Sequence, residues 1–195
     1  MSEGSEDAAI LIATSYQALN RAMRTNDDKL ITDCTVLVLF AGFYVESTLN
    51  HIFKSLELNI ETFPFSERNS RGKHNLGMRD KLALFYNEFV EETKAVNWDQ
   101  LRDKRIYENL ELSFPGSSEL VNFRNDISHG KINQSARSLV TAMELRQQAK
   151  NLVNNIYAIT ISKGYNVPRL ITYRDAIGSL TGNQPEINVS IASSS

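Results

Sequence analysis

Ahead of residue 164 the chain contains almost nothing that would break a helix. Pro64 and Pro115 are its only prolines in that span, and its apolar residues recur at intervals of three and four. Ile12, Tyr16, Leu19 and Met23 are spaced 4-3-4, and Ala142, Leu145, Ala149, Leu152, Ile156 and Ile159 are spaced 3-4-3-4-3. Such spacing lays one apolar stripe along a helix of 3.6 residues per turn, whereas a strand needs alternation. The fold class expected is all-α, a bundle of five or six helices.

Turn and cap residues divide the pattern. A first helix is expected over about 6–24, and Asn26 suits an N-cap for a second, with Asp27 and Asp28 in its favoured first turn. That second helix runs to about Leu56. Its middle, Val36 to Val45, is apolar on nearly every side, as a helix surrounded by others should be. Residues 58–75 read as a loop, polar and net basic around Arg68, Arg71, Lys73 and His74. A third helix follows over about 76–92 with Met78, Leu82, Phe85 and Phe89 on one face. Asn97 and Gln100 resemble a capping box for a helix near 98–110. The cluster Ser113-Phe-Pro-Gly-Ser-Ser118 ends it. A short helix starts at Ser117 or Ser118 and stops at Gly130, where the left-handed conformation after a helix end favours glycine. The last helix spans about 136–163. Two regions result: a bundle over 1–164 and an irregular extension over 165–195, mobile from about 180. Within it Ile187–Ile191 alternates like a short strand.

Length and composition narrow the function classes. A chain of 195 residues fills one core. The single cysteine, Cys34, excludes an internal disulfide and a cysteine-based zinc site, and its apolar surroundings make it a core residue. The N-terminus is acidic and lacks the basic start of a signal peptide. Val36–Val45 is about half the length a bilayer requires. A cytoplasmic protein without membrane attachment is therefore expected. A formal net charge of −2 gives no global attraction to nucleic acid, so any contact with RNA must be local.

Motifs for phosphate loops, nucleophile elbows and paired-histidine metal sites are missing. The three histidines, His51, His74 and His129, are too scattered to suggest a metal, and no cofactor is expected. The polar concentration lies in Phe123-Arg-Asn-Asp-Ile-Ser-His-Gly-Lys131. Asn125 and His129 are i,i+4 neighbours on one face, and Arg124 and Ser128 are another such pair about 100° away. Leu120, Phe123 and Ile127 take the apolar side. One helix end thus combines a guanidinium, an amide, a hydroxyl and an imidazole.

Leu120-Val-Asn-Phe-Arg-Asn-Asp-Ile-Ser-His-Gly130 resembles the signature of HEPN domains, all-α bundles marked by an arginine, four to six residues, then a histidine. Phe43-Tyr-Val-Glu-Ser-Thr-Leu-Asn-His-Ile-Phe53 is similar to the earlier family helix that carries a glutamate, here Glu46. The similarity in helical layout covers roughly residues 6–163. It implies an up-and-down bundle of HEPN type and, as in many members, a metal-independent endoribonuclease acting as a homodimer. A toxin, phage-defence or RNA-processing role follows, with a neutralising antitoxin as a partner. Arg124, His129 and Asn125 would then form the catalytic set, with Glu46 and Ser128 in support. Lys131, Arg71 and Lys73 would contact the RNA backbone.

Side-chain chemistry allows this role. RNA supplies its own nucleophile in the 2′-OH, so cleavage needs a base, an acid and a cation for the developing charge. Imidazole serves as base or acid, and arginine's planar fork suits phosphate oxygens. A dimer brings two copies of each into one cleft. Plainer roles compete. His129 also suits a helix C-cap, Arg124 a pair with Glu46, Glu119 or Asp126, and Asn125 and Ser128 local backbone contacts. The alternatives are a non-catalytic HEPN-like module that binds nucleotide, RNA or protein, and a scaffold or immunity-type protein in which Arg124 and His129 only lock the bundle.

Overall fold

The longest apolar run lies in a helix that packs against three others, with Leu37, Val38, Ala41 and Val45 buried and Val36, Leu39, Phe40, Phe43 and Tyr44 only partly so. The computed structural model describes residues 14, 17–21, 27–57, 76–91, 104–131 and 138–169. All the regular structure among them is helical. Residues 14 and 17–21 belong to α1, followed by α2 (Asp27–Ser55), α3 (Met78–Phe89), α4 (Lys104–Ser113), α5 (Ser117–Ser128) and α6 (Leu139–Ser162).

Helix α2 packs against α3, α5 and α6. Its residues Leu37, Val38, Ala41, Val45, Leu49, Ile52 and Phe53 are buried. Thr48 is buried too, its hydroxyl satisfied by donating to the Tyr44 carbonyl at 2.9 Å. By length and composition Ile31–Ser55 is apolar enough to cross a membrane. A core helix passes the same test, and half of that stretch is buried inside the bundle.

From α6, Ala142, Leu145, Ala149, Leu152 and Ile156 are buried and Ile159 is partly buried, as the spacing predicts. From α3, Met78, Leu82, Phe85 and Phe89 enter the core. Phe85 stacks on Phe89 at 4.6 Å between ring centres, so these rings are structural. Each such side chain contributes about 1.5–3 kcal/mol on burial. Cys34 is buried and unpaired, and burial followed by the neighbouring Asp33 charge raises its thiol pKa.

The helix ends show how the sequence sets the layout. Gly130, at φ 76°, closes α5 in a Schellman arrangement. The Lys131 N–H donates to the Asp126 carbonyl at 2.8 Å and the Gly130 N–H to the Ile127 carbonyl at 3.0 Å. The same turn recurs at Gly164, φ 83°, after α6. Residues 165–169 then run without helix, with Val167 buried and the Pro168 carbonyl 2.8 Å from His51 Nε2.

One boundary departs from the expectation. α4 continues to Ser113 instead of ending near 110, and the turn is confined to 114–116. The extra turn carries Glu111, whose carboxylate accepts the Gly116 N–H at 2.6 Å and the Ser118 N–H at 2.9 Å. The preceding helix thereby caps α5. Gly116 at its N-cap has φ 80° and no capping side chain. Burial pushes the Glu111 carboxyl up, but hydrogen bonds from Ser118, Gly116 and Ser117 outweigh it and leave its pKa below the ordinary value. The expected Asn26 cap, the 58–75 loop, the Asn97–Gln100 box and the alternating segment Ile187–Ile191 lie outside the described residues.

Candidate functional site

Arg124 projects from α5 onto α2, where three features of that helix receive it. Gly42 provides the floor: a Cβ there would stand 2.7 Å from Arg124 Cγ and 3.1 Å from its Cβ, so no side chain fits. Phe43 forms a wall, with the guanidinium carbon 5.3 Å from its ring centre. Glu46, one turn on, accepts from Arg124 Nη2 at Oε2, 2.9 Å away. Gly42, Phe43 and Glu46 share one side of α2 because a helix brings i and i+4 together.

A third helix completes the cluster. Lys81 of α3 places its ammonium 2.7 Å from Glu46 Oε1. Each oxygen of one carboxylate therefore holds its own cation. The side chains are 12% exposed for Lys81, 18% for Glu46 and 19% for Arg124. Two cations against one carboxylate leave the group with one excess positive charge, largely withdrawn from water. Arg124 Nε is buried with no hydrogen-bonding partner, so the guanidinium is held through its two outer nitrogens.

Asn125 Oδ1 accepts from Arg124 Nη1 at 3.1 Å. The amide thus orients the guanidinium. Ser128 Oγ donates to the Arg124 carbonyl at 2.8 Å, a local i→i−4 bond that leaves it a backbone role. His129 is the C-cap of α5, and its backbone N–H reaches the Asn125 carbonyl at 3.0 Å. Its side chain and those of Ser128 and Lys131 are exposed. The structure therefore brings together Arg124, Asn125 and Glu46, and leaves His129 and Lys131 on the surface at the end of the same helix. Arg71 and Lys73, with Arg68 and His74, lie outside the described residues.

Sequence reasoning missed Gly42, Phe43 and Lys81. A glycine inside an apolar helix signals close approach by a neighbour, so Gly42 carried a usable signal. Lys81 carried none, because one lysine on an amphipathic helix ordinarily faces solvent. Among the described residues, no group of three or more His, Cys, Asp and Glu side chains is placed to hold a metal ion. A separate pocket of about 110 Å³ lies between α3, α4 and α5, lined by Arg79, Leu82, Leu110, Ser117, Ser118 and Val121.

No protein-family model, curated protein or solved structure matches the chain.

Proposed function

We propose that this protein is a metal-independent endoribonuclease, built on an up-and-down bundle of HEPN type with an irregular C-terminal extension, and active as a homodimer. The observation that supports it most is the guanidinium of Arg124, fixed by Glu46 and Asn125 beside an excess positive charge, on the same helix end as the exposed His129. A pre-fixed cation stabilises charge that develops on a phosphate without reorganising during the reaction.

In this reading the 2′-OH attacks the adjacent phosphorus and the 5′-oxygen departs, leaving a 2′,3′-cyclic phosphate and a 5′-OH. The phosphorane charge falls to Arg124. His129 removes the 2′-OH proton, and His129 of the second copy protonates the leaving oxygen. Two histidines are needed and one chain offers one in this motif, which is the chemical reason for the dimer. Such an enzyme belongs in the cytoplasm as a toxin, phage-defence or RNA-processing protein, and a toxin would need a neutralising partner.

One observation favours a second reading. Arg124 is four-fifths buried and bonded to Glu46, as in a non-catalytic module where this pair locks α5 onto α2. The test is incubation of the purified protein with mixed single-stranded and structured RNA in excess EDTA, beside the same sequences made with 2′-O-methyl sugars. The ribonuclease reading predicts cleavage of the first, cyclic-phosphate ends and an intact second substrate. A folded protein that cleaves neither leaves the binding module.

A further inference from the structure

The charge count at Glu46 exceeds what stability requires. One cation neutralises a mostly buried carboxylate, and Arg124 already does so with a charge-assisted hydrogen bond. Lys81 adds a second cation from another helix, 12% exposed. Withdrawing an uncompensated charge from water is unfavourable, so a three-member group with one excess positive charge is stabilised when an anion arrives. Donor capacity remains for it. An ammonium carries three N–H groups, of which Glu46 takes one, and each outer guanidinium nitrogen carries two, of which Glu46 and Asn125 take one each.

We infer that Lys81 and Arg124, held on either side of Glu46, form a two-cation cradle for an oxyanion of the phosphate class, with Lys81 as a binding residue for it. On the ribonuclease reading above, on which this assignment of the anion rests, the ligand is the scissile phosphodiester. Glu46 is then the spacer that keeps two like charges close without letting them repel each other apart. The cradle is complete within one chain, because Glu46, Lys81, Arg124 and Asn125 come from α2, α3 and α5 of the same molecule. Anion binding therefore needs no second copy, in contrast to cleavage.

The test titrates inorganic phosphate into the full chain at constant ionic strength, with chloride as the reference anion, for the parent, Lys81→Gln and Lys81→Arg. Lys81→Gln leaves Glu46 paired with Arg124 one to one, so the fold has no unpaired charge to accommodate. The cradle predicts that phosphate raises the parent's melting temperature above the chloride reference. It also predicts that Lys81→Arg retains this, and that Lys81→Gln binds about tenfold more weakly, the loss of one charge-assisted contact. A parent indifferent to phosphate, or a Lys81→Gln protein that binds it as well as the parent, overturns the inference. Nitrogen NMR of the parent tests the cradle without any variant: phosphate must shift the Arg124 guanidinium and Lys81 ammonium signals, and unmoved signals overturn the inference. The RNA assay separates the two claims. Phosphate binding lost in Lys81→Gln, with no RNA cleaved by the parent, upholds the cradle and removes the ribonuclease. RNA cleavage with Lys81→Gln unimpaired in both assays does the reverse.

Discussion

Replacing Gly42 by alanine should destabilise the protein, although the same change in the middle of an ordinary helix stabilises it. Alanine is favoured over glycine by about 1 kcal/mol in a helix interior. Here the new methyl would stand 2.7 Å from Arg124 Cγ, 3.1 Å from Cβ and 3.8 Å from Cδ, against an ordinary carbon–carbon separation of about 3.5–4.0 Å. These atoms sit next to the α5 backbone and cannot swing away as a side-chain tip would. Relief requires α5 to move off α2 or Arg124 to change rotamer, and the second takes the guanidinium off Glu46. Overpacking costs about 1–3 kcal/mol. Loss of a charge-assisted hydrogen bond costs about 1.5–3 kcal/mol. Set against the propensity gain of about 1 kcal/mol, either route leaves a net loss of up to about 2 kcal/mol, or about 2–4 °C in melting temperature for each kcal/mol in a chain of this size. Thermal and urea unfolding followed by circular dichroism measure it. A Gly42→Ala protein more stable than the parent would refute the close approach of Arg124 and the site built upon it.

Glu46→Gln should be more damaging than Lys81→Gln, by about 2–3 kcal/mol in urea unfolding, because it leaves two mostly buried cations with no carboxylate between them. Equal losses would argue against a shared carboxylate. Gly130→Ala should cost only the conformational penalty of about 1–2 kcal/mol, since φ is 76° and nothing lies within 4 Å of the added methyl; calorimetry checks this, and a larger loss would mean hidden crowding. The Glu111 carboxyl has a lowered pKa in the folded chain, so its contribution is complete above its unfolded value near 4.5 and is lost as pH falls through the lower folded value. Glu111→Gln should therefore be less stable than the parent at neutral pH, with the gap closing in that acid window; a gap independent of pH would contradict the cap.

Local signals made most of the helix layout legible. Gly130 and Gly164 announced the ends of α5 and α6 because the left-handed turn after a helix depends on the residue at that position. The stripes on α3 and α6 announced their buried faces through period alone. The end of α4 was not legible in this way. Glu111 lies between the expected helix end and the turn cluster that opens at Ser113, and nothing local marks it as a cap until the Gly116 and Ser118 amides are seen to need it, a need that arises only when two helices meet. The site divides along the same line. Arg124 stood out within the polar concentration Phe123–Lys131, and Glu46 because a charge within an apolar segment demands a partner. Lys81 lies on the surface pattern of its own helix, and only tertiary packing brings it to Glu46. Asn125 was placed on the His129 face by periodicity, yet its amide turns to the adjacent Arg124, a distinction of side-chain rotamer that spacing does not reach.

On the proposed ribonuclease reading, Arg124 and His129 cut RNA. The most direct measurement compares the parent with Arg124→Ala and His129→Ala on the same RNA in excess EDTA, with folding and oligomeric state checked in each sample. The ribonuclease reading predicts cleavage by a dimeric parent, abolished in both variants, while His129→Ala keeps the parent's stability because the His129 side chain is exposed. Undiminished cleavage by a folded His129→Ala dimer, or none by a folded dimeric parent, would contradict it.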